Sequence, residues 1–350
     1  MFRHRAPAAP TTVSTSASTS VPAAPSAARL PSAGARLAAV RSRLSLPLVR
    51  RATGLLEGQH RSVYRGHGQD FDDLRLYAPG DDVGDIDWRA SATNGSPVVK
   101  RYVATSNVAA VLVVDTGRHM TGLAARGEPK SHVAQYVASI VAELAHQRGD
   151  RVALVAGDAG RVEHLPARAG RTHVEVVLRR LERTFDEHAP PGDLPLLLDR
   201  AFRQTPRRSL VVVITDEARP DDAAALALRR LRSRHAVLVV QVADADAFAA
   251  DVAAGPPGQL VGASSARERG RPTRVERGPV ADADSGSLVP GFLRGRRRAV
   301  EAAHRARVAR HERTVAVMTP LGIPWVVVEG TYDALDEFVA LLERQHRAGL

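Results

Sequence analysis

Residues 108–115 read VAAVLVVD, and residues 209–216 read SLVVVITD. Both stretches are apolar at consecutive positions, which is typical of strands that are buried on both faces of a parallel sheet. Each apolar run ends at an aspartate, Asp115 in the first stretch and Asp216 in the second. Because ligands of open α/β sheets bind where parallel strands end, we expect these two carboxylates at one functional edge of the sheet.

Helical and strand patterns alternate around these two stretches. Apolar residues at helical spacing predict helices at 130–146, 173–185, 194–202 and 221–232, and short apolar runs predict strands at 151–156, 161–165 and 236–242. After an aperiodic stretch, the sequence predicts a helix around 293–318, a strand at 325–329 and a helix at 332–345. This alternation predicts an α/β fold, with a mostly parallel sheet that is covered by helices on both faces.

The chain divides into three regions. Residues 1–36 are rich in Ala, Ser, Thr and Pro, which predicts a disordered tail. Residues 37–105 hold a basic amphipathic helix, expected to start near residue 35 and to break at Pro47, and an aspartate-rich segment. Residues 106–350 form the α/β domain, with a mobile insertion at 254–290. We expect the basic helix to pack on its own domain; binding to an anionic membrane surface is the alternative.

Composition excludes several classes of protein. The chain has no cysteine, so it has neither disulfides nor thiolate metal sites. Its longest apolar run covers residues 108–114, far below the roughly 18–20 residues that span a bilayer. Its first residues lack the apolar core of a signal peptide. These features predict a cytoplasmic protein.

The net charge of +11 raises the question of nucleic-acid binding, because basic surfaces attract phosphates. All of the 49 basic residues except Lys100 and Lys130 are arginines, as is common in proteins from GC-rich genomes, and they are scattered along the chain. Aromatic residues, which stack on bases, make up only 4% of the chain. The sequence therefore favours a compositional origin for the charge, and nucleic-acid binding stays as an alternative.

Residues 58–93 read GQHRSVYRGHGQDFDDLRLYAPGDDVGDIDWRASAT. This stretch, which we call the signature segment, resembles the signature of the bacterial domain-of-unknown-function family fifty-eight. The matching positions are Gly66, Gly68, Asp70, Phe71, Leu74, Arg75, Tyr77, Gly80, Asp81, Ile86, Asp87, Trp88 and Arg89. We expect a structural role for the segment: Tyr77 to Asp81 suits a tight turn, and the aromatic and aliphatic side chains, with Trp88 among them, are expected to be buried together.

The resemblance implies both a fold and a partner. In this family the signature precedes a Rossmann-like von Willebrand factor A domain, and the genes are typically found beside those of AAA+ ATPases of the MoxR type. It therefore implies a non-enzymatic adaptor that works with a MoxR-type AAA+ ATPase on an unknown client protein. Two alternatives stay open: a hydrolase or metal-dependent enzyme built on the aspartates of residues 70–87, and a binder of nucleic acid or anionic membranes.

The resemblance also implies a metal-ion-dependent adhesion site, which in von Willebrand A domains combines a D-x-S-x-S loop with a threonine and a later aspartate. Such oxygen ligands suit Mg²⁺. The corresponding residues here are Asp115, Gly117, His119, Thr172 and Asp216, so both serines of the loop are replaced. We expect no tightly bound metal, with weak Mg²⁺ binding as the alternative. Arg118 is expected to pair with Asp115 or Asp216 in place of the ion, and the whole rim is expected to bind the partner.

Motifs of catalysis are absent from the sequence. It contains no G-x-S-x-G elbow, no P-loop and no G-x-G-x-x-G that opens a helix after a strand. The sequence therefore predicts a chain that is not an enzyme and that needs no cofactor.

Overall fold

The computed structural model describes residues 31–44, 70–78, 83–103, 109–219, 221–248, 252–254, 260–262, 280–282, 288–293 and 296–347. Most of the predicted tail and most of the predicted insertion lie outside these residues, so their mobility stays a prediction. Four of the thirteen matching positions in the signature segment also lie outside them: Gly66, Gly68, Gly80 and Asp81.

Ahead of the main sheet, the described chain forms one helix and a small two-stranded unit. Helix α1 (Ala33–Arg43) begins after Ser32, whose hydroxyl accepts a hydrogen bond from the Ala35 N–H. Strands β1 (Asp70–Leu76) and β2 (Val98–Val103) pair antiparallel, and helix α2 (Trp88–Asn94) lies between them along the chain.

The main domain alternates strands and helices. Its elements are β3 (Ala109–Asp115), α3 (Lys130–Gln147), β4 (Arg151–Gly157), β5 (Val162–Arg168), α4 (Arg171–Glu182), α5 (Leu194–Gln204), β6 (Leu210–Asp216), α6 (Asp222–Arg232), β7 (Ala236–Val242), the short strands β8 (Val252–Ala254), β9 (Leu260–Gly262), β10 (Val280–Ala281) and β11 (Leu288–Val289), then α7 (Arg297–Leu321), β12 (Trp325–Val328) and α8 (Ala334–Arg347).

Six strands form the main sheet in the order β12-β7-β6-β3-β4-β5. Neighbouring strands are parallel except β4 and β5, which pair antiparallel at one side of the sheet. The parallel strands end together, since Asp115 lies opposite Gly157 and Asp216 lies opposite Val242. We call the side of the sheet where the parallel strands end the C-terminal edge, and the side where they begin the N-terminal edge. The mostly parallel sheet confirms the predicted α/β fold.

Alternate residues of the central strands contact two helical layers. Leu112 and Val114 of β3 pack against the layer of α1, α3, α4 and α8. Val111 and Val113 pack against the layer of α5, α6 and the end of α7. Because both faces of β3 and β6 are covered, consecutive apolar residues are buried, which explains the sequence runs that predicted these strands.

Helix α1 is part of this packing. Leu37 and Val40 are buried in the same cluster as α3 and α4. The buried Arg36 lies 3.4 Å from Glu182 of α4, and Arg41 lies 2.9 Å from Glu143 of α3. The apolar face of α1 is therefore used within the domain, as the sequence predicted, and is not available to a membrane surface.

Three predicted boundaries need correction. Residues 33–36 begin α1, so the predicted tail of residues 1–36 is too long, because Ser32 caps the helix and Arg36 is anchored inside the domain. Helix α1 ends at Arg43, ahead of Pro47. Within the predicted insertion, β8 pairs with β9 and β10 pairs with β11, so parts of an aperiodic sequence form local ladders.

Candidate functional site

Three aspartates meet at the C-terminal edge of the sheet. Asp115 is the last residue of β3, Asp216 is the last residue of β6, and Asp244 follows β7 by two residues. These strands are neighbours in the sheet, so topology alone brings the three carboxylates together. Asp115 and Asp216 are buried, whereas the Asp244 side chain is 30% exposed. Buried carboxylates require compensating partners, and this edge supplies them from the chain itself.

Lys130, the first residue of α3, places its ammonium group between two of these carboxylates. Its Nζ lies 2.5 Å from Asp244 Oδ1 and 3.4 Å from Asp216 Oδ2, and the residue is only 4% exposed. Burial alone would lower the pKa of Lys130, but the charges of Asp216 and Asp244 outweigh burial and raise it. The ammonium group is therefore a permanent positive charge at the centre of the edge.

His119 lies close to two of the three carboxylates. Its Nε2 lies 3.2 Å from Asp115 Oδ2 and 3.8 Å from Asp216 Oδ2. Burial opposes the charged imidazole, but the hydrogen-bonding and charge of Asp115, together with the charge of Asp216, raise the pKa of His119 overall. The imidazole thus bridges the ends of β3 and β6.

The carboxylates respond differently to this environment. Burial would raise the pKa of Asp216, but Lys130, His119 and Arg219 overcome it and hold that pKa below its ordinary value. The pKa of Asp244 is raised, because burial and the nearby charge of Asp216 outweigh the attraction of Lys130. Of the two carboxyl groups, Asp244 is therefore the one that protonates first as the pH falls, and Asp216 stays ionised to lower pH.

Two glycines let the loops close over Asp115. The Gly117 N–H donates to Asp115 Oδ1 at 3.0 Å, and the Thr215 hydroxyl donates to Asp115 Oδ2 at 3.2 Å. A Cβ atom on Gly117 would overlap the backbone of Gly192, and a Cβ on Gly192 would overlap the carboxylate of Asp115 and the ring of His119. A serine at position 117 would therefore collide with the neighbouring loop.

These residues do not fit a divalent metal ion. Lys130 and His119 contact the carboxylate oxygens that such an ion would need, and Arg219 Nε lies 3.9 Å from Asp115 Oδ2. Within the described parts of the chain, no three His, Asp or Glu side chains are arranged to hold a metal. A second cation would be repelled by charges that the chain already places there.

The predicted rim residues fall into two groups. Asp115, Gly117, Arg118, His119 and Asp216 lie together at the C-terminal edge. Arg118 is half-buried, and its backbone N–H donates to the Pro190 carbonyl at 3.1 Å. Thr172 was placed wrongly: it is exposed at the start of α4, after β5, and β5 runs antiparallel, so Thr172 lies at the N-terminal edge.

The sequence interpretation missed Lys130, Asp244, Arg219 and Gly192. Asp244 had a readable signal, because an aspartate soon after a buried parallel strand repeats the pattern of Asp115 and Asp216. Lys130 also had one: it is one of two lysines among 49 basic residues. The long-range contacts of Lys130 and Gly192 had no local signal.

The signature segment has a structural role in part and an exposed surface in part. The Asp87 side chain caps α2 by accepting hydrogen bonds from the N–H groups of Arg89 and Ala90, both at 3.0 Å. Ile86 and Tyr77 are half-buried. The expectation of a buried Trp88 was wrong: it is the first residue of α2 and is 67% exposed.

A family model described as "Protein of unknown function DUF58" matches residues 73–250, about half of the 350 residues. The chain belongs to the DUF58 family. The match begins inside the signature segment and ends after the loop that carries Asp244, so it includes every residue of the C-terminal-edge cluster.

Two relatives match nearly the whole chain. They are the uncharacterized protein Rv1480 of Mycobacterium tuberculosis and the uncharacterized protein Mb1516 of Mycobacterium bovis. Each is 29% identical over 323 residues, which is 90% of this chain and 92% of the relative.

Three solved structures are similar at low scores. BatB from Bacteroides thetaiotaomicron is 12% identical, covering 69% of this chain and 99% of its own, with a TM-score of 0.38. An aerotolerance-related membrane protein from Bacteroides fragilis is 16% identical, covering 68% and 99%, with a TM-score of 0.39. A von Willebrand factor type A protein from Catenulispora acidiphila is 12% identical, covering 71% and 44%, with a TM-score of 0.35. Among the helices that the structure describes, none is long and apolar enough to span a membrane.

Proposed function

We propose that this chain is a non-enzymatic interaction module whose protein partner docks at the C-terminal edge of the sheet without a bridging metal ion. The observation that carries the proposal is the position of Lys130. Its ammonium group pairs with both Asp216 and Asp244, and His119 contacts Asp115, so side chains of the chain itself occupy the space between the carboxylates. A partner therefore meets loops that are held in place by an internal network of charges.

The surface offered to the partner consists of the loops that surround this network. Ala159 lies in the exposed turn between β4 and β5, and its N–H donates to the Pro191 carbonyl at 3.0 Å. Pro190 and Pro191 are exposed beside it. Loops on a rigid sheet commonly carry binding residues, because they vary without disturbing the core.

Family membership supports a partner of a particular kind. Members of this family are typically found with MoxR-type AAA+ ATPases, so we propose that such an ATPase is the partner and that the pair acts on a client protein. The alternative of an aspartate-based hydrolase has less support, because the Asp87 carboxylate accepts hydrogen bonds from two backbone N–H groups of α2 and so caps that helix.

The test is association with the MoxR-type ATPase of the same genome, measured by biolayer interferometry on the nucleotide-free ATPase. Ala159→Arg adds a bulky charge to the exposed turn at the C-terminal edge, and we expect it to weaken binding by about tenfold or more. Ala316→Arg is the matched control, because Ala316 is exposed on α7, away from that edge. It should change the affinity by less than about twofold.

Three results would count against the proposal. Loss of binding in EDTA would show that a metal ion bridges the partner. Equal weakening by both substitutions would remove the C-terminal edge as the docking surface. Absence of any association with the folded ATPase would remove the ATPase as the partner.

A further inference from the structure

The fold gathers on one face the arginines that are scattered along the sequence. Helices α5, α6 and α7 lie on the same face of the sheet. These three helices hold eleven arginines and four carboxylates, and the connecting residues 205–209 and 233–235 add three more arginines. The helices of the opposite face, α1, α3, α4 and α8, hold nine basic and six acidic residues. We call the first set the arginine face; its arginines are Arg200, Arg203, Arg207, Arg208, Arg229, Arg230, Arg232, Arg234, Arg297, Arg298, Arg305, Arg307, Arg310 and Arg313.

Few of these charges are neutralised within the molecule. Asp199 pairs with Arg203 and Arg230, Glu217 pairs with Arg307 and Arg310, and Glu301 pairs with Arg297. Across the described ranges, the other nine arginines of this face have no carboxylate within ion-pair distance. Helix ends favour some arginines through the helix dipole, but that effect is confined to the last turn of each helix. It does not account for the arginines of α7.

Helix α7 is exposed along most of its length. Of its 25 residues only Thr314 and Met318 are buried, both in the last part of the helix. By helical spacing Arg298, Arg305 and Arg313 share one outward stripe of α7 over about 22 Å, and alanines lie between them together with the exposed Glu301 and Glu312. Small side chains between arginines let an extended anion approach the helix closely.

The one aromatic side chain of α5 positions two guanidinium groups on this face. The guanidinium carbons of Arg230 and Arg234 lie 4.5 and 3.9 Å from the centroid of the Phe202 ring. Arg234 also donates to the Phe202 carbonyl at 3.3 Å. These contacts hold two guanidinium groups in fixed positions. They also cover the ring, so it is not free to stack on a base.

We propose that the arginine face binds the phosphate backbone of a nucleic acid without reading its sequence. Unpaired guanidinium groups along an exposed helix match a line of phosphates, and binding gains from counterion release. A protein partner would favour an apolar or aromatic centre, which the outward stripe of α7 does not provide. An anionic membrane would favour Trp, Phe or Leu side chains beside the arginines, and the exposed apolar side chains of α7 larger than alanine are Val308 and Val315, 42% and 39% exposed. This proposal is independent of the ATPase partner.

The experiment measures fluorescence anisotropy of a labelled 24-base-pair duplex with the full chain from 50 to 300 mM NaCl. The test variant is Arg298→Ala/Arg305→Ala/Arg313→Ala on α7. We expect the native chain to bind, the variant to bind at least about tenfold more weakly at 100 mM NaCl, and the slope of log K against log salt to become shallower by about 3.

The matched control is Arg171→Ala/Arg179→Ala/Arg183→Ala, which removes the same charge from exposed positions in and just after α4 on the opposite face. It should change the affinity by less than about threefold. Circular dichroism checks that both variants are folded.

Several outcomes would overturn the proposal. Equal weakening by the two triple variants would show diffuse attraction with no particular face, and no binding at 50 mM NaCl would exclude the interaction. Displacement of the duplex by polyglutamate of equal charge at equal concentration would indicate an acidic protein partner. Preferential binding to phosphatidylserine vesicles, lost in the α7 variant, would indicate a membrane. If the α7 variant does not fold, Arg305→Gln alone should still make the salt slope shallower by about 1.

Discussion

At the scale of single residues, Lys130 sets a large desolvation penalty against a strong attraction to its two carboxylate partners. Removing an ammonium group and two carboxylates from water costs several kcal/mol per ion, and the attraction between them offsets this only when the geometry is close. The contact of 2.5 Å to Asp244 and that of 3.4 Å to Asp216 meet this condition. The consequence is asymmetric: losing one partner leaves the others buried and uncompensated.

We therefore predict that Lys130→Met lowers the free energy of unfolding by about 3–5 kcal/mol at pH 7.5, measured by urea denaturation. The destabilisation by Lys130→Met should become smaller toward pH 4. The pKa of Asp244 is raised, so this carboxyl group protonates as the pH falls and then no longer requires a positive partner. Adding Asp244→Asn to Lys130→Met should restore part of the stability, since the double variant removes both charges. Strictly additive losses in the two substitutions would contradict this account of the cluster.

The sequence predicted part of this cluster, for a physical reason. A buried parallel strand is a strong local pattern, and the residue at its end is placed by the sheet, so Asp115, Asp216 and His119 were within reach. The placement of Thr172 was wrong because the apolar run at 161–165 predicts a strand without showing its direction, and β5 runs antiparallel to β4. Lys130 stands out as one of two lysines, but its partners could not be predicted because they lie 86 and 114 residues away.

At the scale of elements, α1 shows how far an amphipathic pattern can be trusted. Its apolar spacing predicted a helix packed on the domain, and Leu37 and Val40 are buried there. The pattern did not show that Arg36 is buried as well, because an arginine is normally read as a solvent-facing residue. Glu182 of α4 makes that burial tolerable. The same limit applies to Trp88, where a large aromatic residue predicted burial and the structure exposes it.

We predict that Leu37→Ala lowers the free energy of unfolding by about 2–5 kcal/mol, because it leaves a cavity between α1, α3 and α4. Leu226→Ala is the control: Leu226 is on α6 and is 71% exposed, so the same change should cost less than about 0.5 kcal/mol. Both are measured by chemical denaturation of the full chain. Equal small effects would mean that α1 is detached from the domain in solution.

At the scale of the whole molecule, the two edges of the sheet carry different charged residues at the strand ends. Aspartates end β3 and β6 and follow β7 at the C-terminal edge, where internal cations pair with them, whereas Arg207, Arg208 and Arg234 precede β6 and β7 at the N-terminal edge. The directions of the helices support this separation, because helix N-termini favour carboxylates and helix C-termini favour guanidinium groups. A count of charges along the sequence cannot reveal it, since residues far apart in the chain share an edge.

The two edges also impose opposite behaviour on two buried histidines. His119 among aspartates has a raised pKa, so its contribution to stability is full below the unfolded value near 6.5 and is lost as the pH rises through its folded pKa. His235 lies just ahead of β7 and is 1% exposed, with an edge-on contact to Phe202. Burial, with the charges of Arg234 and Arg208, lowers the pKa of His235 to about 4.

We therefore predict that His235 makes the free energy of unfolding depend on pH. The folded state favours its neutral form, so its contribution is full above about pH 6.5 and declines as the pH falls toward 4, with about 2 kcal/mol lost by pH 5. His235→Leu removes the titrating group while keeping the site apolar, and we expect its free energy of unfolding to fall less than that of the native chain between pH 7 and pH 5. His188→Leu is the control, because the His188 side chain is 94% exposed.

Urea denaturation at pH 5, 6 and 7 measures all three proteins. Parallel pH profiles for the native chain and His235→Leu would show that His235 is not held neutral by its buried position beside the arginines.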